Sequence, residues 1–261
     1  MRRCAVGTLL ALALAARAEE GATPKKVTFA SEDGLTVTAD LYLAHEDAAT
    51  PFIVLFHQAR SSRGEYREIA PRLARLGFNC LAVDQRSGAK ALEVDNETAQ
   101  RAAGAEKDAS YLAARQDMVA ALRHARKTWA KGKLIAWGSS YSASLALEIV
   151  GADATLADGV VSFSPGEYFQ KLGKADTWIR DSVAGLACPV FITSARKEKP
   201  MWEAIYEAIP AEGKRCYVPE KDGRHGSSAL WSRFDFSEDY WKAVTAFLRT
   251  HFVPQKETEG A

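Results

Sequence analysis

The feature that most limits the fold is a rhythm: short apolar runs at 52–56, 78–83, 133–137, 159–163, 189–193 and 215–218 alternate with longer segments of helical spacing. A strand that is apolar along its whole length is buried on both faces, as parallel strands covered by crossover helices are. Residues 26–30 and 35–43 instead alternate in polarity around the turn chemistry of Glu32-Asp33-Gly34, which predicts an antiparallel hairpin. The expected architecture is α/β in three layers, with a mostly parallel central sheet of about eight strands and an N-terminal antiparallel hairpin. Helices are expected at 65–76, 108–129, 140–150, 177–184, 200–209 and 238–252.

At 47% hydrophobic and 26% charged over 261 residues, the chain holds enough apolar material for one domain at 19–261 and too much for a disordered or fibrous protein. Its 34 Lys and Arg balance 33 Asp and Glu without a basic block, so no nucleic-acid partner is expected. Met1-Arg2-Arg3, the apolar run from Cys4 to Ala15 and the small residues Ala16 and Ala18 make up a secretory signal peptide at 1–18. That run is short of the roughly 20 residues that cross a hydrocarbon core. Cleavage would leave no integral membrane span and a secreted or periplasmic chain. Cys4 stands at the start of the apolar run and not after it, against a lipoprotein reading.

The mature chain keeps Cys80, Cys188 and Cys216, an odd number that allows at most one disulfide. Cys80 lies in an apolar run and reads as a buried hydrophobe. Cys188 and Cys216 each fall at an expected strand and pair if their Cβ atoms come close. Residues 87–107 form a long loop from strand to helix, expected to rim the site at the strand ends. Within it, Asn96-Glu97-Thr98 matches a glycosylation acceptor.

The chemistry begins where the apolar run 133–137 enters Gly138-Ser139-Ser140-Tyr141-Ser142 and then a helical segment. Strand, sharp turn and helix around a serine make a nucleophile elbow, which needs small residues two before and two after the serine. Gly138 and Ser142 supply them. Serine needs a base that follows it in the chain. His57 and His45 precede Ser140, His124 lies inside a helix and His251 ends one, which leaves His225 in the glycine-flanked loop after the last strand. The third member is a carboxylate on the loop after strand 189–193: Glu198, with Asp176, Asp181 and Asp222 as alternatives. Oxyanion donors are expected from the amide of Tyr141 and from Gln58 or Ala59 after strand 52–56, with His57 bracing that loop. Tyr141 and Trp231, near Ser140 and His225 in sequence, are the candidate substrate-binding aromatics.

His57-Gln58, Asp84-Gln85-Arg86, Gly138 to Ser142, Pro189 to Glu198 and His225-Gly226 together resemble the α/β-hydrolase superfamily, within it the dienelactone-hydrolase-like group. The resemblance covers nearly the whole mature chain. It implies hydrolysis through an acyl-enzyme, with Ser140, Glu198 and His225 in the triad places and Asp84-Gln85-Arg86 bracing loops over the sheet. The sequence departs from dienelactone hydrolase proper in carrying serine in place of cysteine, Glu198 in place of Asp, and Ser142 in place of the second glycine.

The expected activity is metal-independent serine esterase chemistry on a small-molecule ester. No His-Glu-x-x-His, Cys-x-x-Cys or phosphate-binding glycine motif calls for a metal or other cofactor. A serine peptidase of the same fold and a noncatalytic exported binding protein are the rival readings, and the oligomeric state is not encoded in any motif. N-terminal sequencing of protein recovered outside the cytoplasm is expected to begin at Glu19; a start at Met1 would remove the signal peptide.

Overall fold

The computed structural model describes residues 23–253, so the signal peptide expected at 1–18 and the polar tail from Pro254 lie outside the described residues. The chain opens with β1 (Lys25–Ala30) and β2 (Thr36–Tyr42), antiparallel across the 31–35 turn. β3 (Phe52–Phe56) follows. A 3-10 turn (Arg63–Tyr66) and α1 (Ile69–Arg75) lead to β4 (Asn79–Val83). Next come a small ribbon of β5 (Lys90–Ala91) and β6 (Val94–Asp95), then α2 (Glu97–Gly104) and α3 (Ala114–Thr128). β7 (Leu134–Ser139), α4 (Tyr141–Ala152), β8 (Gly159–Phe163) and α5 (Trp178–Ser182) follow. The chain ends with β9 (Val190–Thr193), α6 (Lys199–Ala208), β10 (Arg215–Tyr217) and α7 (Ser237–Phe252).

The main sheet has eight strands in the order β1-β2-β4-β3-β7-β8-β9-β10. β2 pairs antiparallel with both β1 and β4, and all other pairings are parallel. This is the expected sheet with its hairpin. The apolar runs are buried on both faces because alternate residues serve two cores. Val54, Leu81, Ala136, Val160 and Ile192 face one core with α3, α4, α5 and α6. Leu55, Ala82, Ile135, Val161 and Phe191 face the other with α1 and α7. No described helix is long and apolar enough to cross a membrane.

The structure bears on four of the sequence readings. The helix foreseen at 65–76 is a 3-10 turn followed by α1, because Pro71 lacks an N–H and must sit in a first helical turn. The long loop at 87–107 is not structureless: its ribbon and α2 fold against the 3-10 turn and β2. Asn96 caps α2, its Oδ1 accepting the Ala99 N–H at 2.7 Å while its Nδ2 donates to the Gln85 carbonyl at 2.8 Å. The side chain is buried, so it offers no accessible glycosylation acceptor. Cys188 and Cys216 are both free. Cys216 lies opposite Ile192, four residues along from Cys188, or about 13 Å at the usual rise per strand residue. Cys80 is buried, as expected.

Arg86, at the end of β4, holds the hairpin to the body. Its guanidinium forks onto Asp117 of α3 at 2.8 and 3.0 Å and onto Asp33 of the hairpin turn at 2.9 Å on both arms. The bond from Arg86 holds the Asp33 carboxyl well below the usual carboxylate range. Truncation would leave the buried Asp117 without its counter-charge. Arg86→Ala is expected to lower unfolding free energy by about 3–5 kcal/mol in urea titration. Arg72→Ala, at an exposed pair with Glu238, should cost less than about 1 kcal/mol.

Candidate active site

β7 runs to Ser139 and α4 starts at Tyr141, so Ser140 alone makes the turn, at φ 61° and ψ −123°. A left-handed φ at a non-glycine residue is strained and needs neighbours to impose it. Ser140 N–H donates to the Phe163 carbonyl of β8 at 2.8 Å. Gly138 admits the start of α4 against its backbone: a Cβ there would lie 2.3 Å from the Ser142 carbonyl oxygen. Ser142, in the place of the second glycine, uses its hydroxyl as a brace. It accepts the Ser139 N–H at 2.9 Å and donates to the Phe56 carbonyl at the end of β3 at 2.8 Å.

The structure brings Ser140, His225 and Glu198 into one chain. Ser140 Oγ–H donates to His225 Nε2 at 2.8 Å, and His225 Nδ1–H donates to Glu198 Oε1 at 2.8 Å. Glu198 ends the short 3-10 turn after β9, where its Oε2 also accepts from the Ser164 hydroxyl at 2.8 Å and from the Ala195 N–H at 3.3 Å. Burial raises the proton affinity of Glu198, but the bonds from His225 and Ser164 outweigh it and hold the carboxyl below its ordinary value. Of the alternatives, Asp181 accepts from Thr177, and neither Asp176 nor Asp222 bonds to His225.

On the oxyanion side the two candidates after β3 separate. The Gln58 N–H is already taken by the carboxylate of Glu65, at 2.9 Å. Among the described residues the amides of Ala59 and Tyr141 have no acceptor. The Gln58 side chain instead borders a cavity of about 530 Å³, beside Lys197, Asp222, Arg224, His225 and Ser228.

The two aromatics expected in the pocket are not there. Trp231 is buried and donates its indole N–H to the Glu65 carbonyl at 2.9 Å. The Tyr141 ring is buried against Tyr111, with centroids 4.5 Å apart. Nearness in sequence located their backbones; their large apolar faces went to the core. Sequence reasoning missed Ser164, Tyr168, Ser139 and Glu65. Ser164, at φ 58°, accepts the Gly226 N–H at 2.9 Å as well as holding Glu198, and its carbonyl takes the Tyr168 hydroxyl at 2.8 Å. The only available signal was the position of Ser164 just past a strand, at the same sheet edge as Ser140.

His57 is wholly buried and braces this edge as expected. Its Nδ1–H donates to the Gln58 carbonyl at 2.8 Å and its Nε2 accepts the Gln85 N–H at 3.1 Å. This is a neutral imidazole, and burial pushes its pKa down to about 4.

No protein-family model and no curated protein sequence matches the chain. Solved structures do. An esterase of Pyrococcus furiosus superposes with TM-score 0.67 at 18% identity, over 88% of this chain and 93% of its own. A dienelactone hydrolase of Anabaena variabilis gives 0.65 at 15%, over 88% and 99%. A thermophilic carboxylesterase cloned from a metagenomic library gives 0.65 at 18%, over 94% and 95%. The chain has the α/β-hydrolase fold.

The unfolded chain protonates His57 near pH 6.5, the folded chain only near 4, so the stability tied to the neutral ring is intact above 6.5 and lost as pH falls towards 4. Between pH 7 and 4.5 the wild type is expected to lose about 2 kcal/mol more than His57→Asn, read from urea midpoints at the two pH values. Equal losses would mean the ring is protonated in the folded state.

Proposed function

We propose that this protein is an exported serine hydrolase, a carboxylic-ester hydrolase working through Ser140, His225 and Glu198 and an acyl-enzyme. The observation that carries the reading is the unbroken hydrogen-bond chain from Ser140 Oγ through both nitrogens of His225 to Glu198. Three of the solved structures that share the fold are described as esterases or a carboxylesterase, which supports the ester class. Export rests on residues 1–18.

In this reading His225 Nε2 takes the Ser140 proton as Oγ bonds to the ester carbonyl carbon. The carbonyl electron pair moves onto oxygen, where the Tyr141 and Ala59 amides meet it; such a donor contributes about 3–4 kcal/mol to the barrier reduction. The ionised Glu198 stabilises the imidazolium. His225 then returns the proton to the departing alkoxide, and the alcohol leaves as the carbonyl re-forms. Water, deprotonated by His225, attacks the acyl-enzyme in the same way, releasing the acid and restoring Ser140. The chemistry asks for no metal or cofactor.

A fluorophosphonate probe is expected to add once to the mature protein by intact mass and not at all to Ser140→Ala. The same substitution should reduce p-nitrophenyl ester turnover by at least about 10³-fold. Absence of both adduct and turnover in the folded wild type would overturn the hydrolase reading.

A further inference from the structure

Glu65 is a fully buried carboxylate outside the Ser140–His225–Glu198 chain, and the mechanism above does not use it. It stands in the 3-10 turn that follows the loop after β3. Its Oε2 accepts the Gln58 N–H at 2.9 Å, and its Oε1 accepts the Ser139 hydroxyl at 2.7 Å. Ser139 Oγ in turn accepts the Ser227 N–H at 2.8 Å. One side chain therefore ties together three segments: the loop carrying Ala59, the elbow carrying Ser140 and Tyr141, and the loop carrying His225.

Both partners that these distances define give a proton to the carboxylate, as an ionised acceptor requires. A glutamine of the same shape would present an NH₂ at one end, opposite a group that already donates. Burial raises the proton affinity of Glu65, so an ionised carboxylate in this place is held against its solvation preference. An apolar or amide side chain in its place would leave the Gln58 N–H or the Ser139 hydroxyl without a matched acceptor, which costs stability. What the carboxylate adds is geometric: the Ala59 and Tyr141 amides belong to different elements, and Glu65 is bonded to the residue beside Ala59 and to the residue before Ser140.

We propose that Glu65 is a positioning residue of the acyl-transfer site, fixing the oxyanion loop to the nucleophile elbow through its two oxygens. The proposal rests on the serine-hydrolase reading. Because the oxyanion exists only in the transition state, a loosened pair of donors affects kcat and leaves ground-state ester binding nearly unchanged.

The test is Glu65→Gln, assayed on p-nitrophenyl acetate with active sites counted by fluorophosphonate titration, beside a thermal melt. The expected result is a kcat per titrated site lower by about 10- to 100-fold, KM within about twofold, and a variant that still melts cooperatively, at a lower Tm. Ser139→Ala, which removes one of the two tethers, is expected to lower kcat in the same direction by less, and it carries the test if Glu65→Gln does not fold. A labelled wild type whose variant keeps the same kcat per titrated site overturns the proposal alone. So does a variant whose lost activity is matched by lost titratable sites, the signature of a merely structural role. A folded wild type that takes no probe overturns the hydrolase reading, and this proposal with it.

Discussion

Ser140 is held at φ 61°, a backbone conformation costing on the order of 1–3 kcal/mol that no local preference of serine would choose. The strain has a use. It stops β7 and starts α4 within one residue, so the hydroxyl projects from the sheet edge and joins neither the ladder nor the helix. The neighbours that enforce it come from three strands: Phe163 of β8 takes the amide, Phe56 of β3 takes the Ser142 hydroxyl, and Gly138 of β7 clears the space into which α4 begins. The parallel pairing of β3, β7 and β8 puts all of these at one edge. The sheet is thus the device that makes the turn possible.

That edge is polar yet buried, and its groups hold one another. His57, Gln85 and Asn96 lock the ends of β3 and β4 to the start of α2. Arg63 bonds Asp84, Asp40 and Glu97, joining the 3-10 turn to β4, β2 and α2. Buried polar networks stabilise a single arrangement only when their members are satisfied. Among the described buried side chains, only His251 Nε2, far along α7, lacks a hydrogen-bond partner. The segment 87–107, expected as a loop over the site, functions in the fold as part of this bracing layer.

The sheet was legible because a strand buried on both faces has no polar residues to disguise it, and β3, β4, β7, β8 and β9 all have that character. Ser140, Glu198 and His225 were legible because each falls just past a strand, and parallel strands bring such positions to one side. The helix α2 escaped notice since its eight residues are mostly polar or small and only Thr98 and Ala102 are buried. Glu65 was hidden for a similar reason: in sequence it is one more acid in a charged, helix-like stretch. Its meaning depends on two partners that sequence spacing does not connect. Trp231 and Tyr141 misled in the opposite sense, since large rings near a site are drawn to the core by the area they bury.

Exposure grades across the three linked residues in a way that suits the proposed chemistry. The His225 side chain is 40% exposed and that of Glu198 13%, both bordering the cavity, while Ser140 is buried. Water can reach the imidazole, which in the proposed mechanism exchanges protons and activates the attacking water. The carboxylate is the more sheltered of the two, which protects its bond to Nδ1 from competition with solvent. Ser164 sharpens the division by occupying the second oxygen of Glu198 with a protein hydroxyl. With one oxygen on Ser164 and the other on His225, the carboxylate keeps the imidazole in the tautomer whose Nε2 faces Ser140.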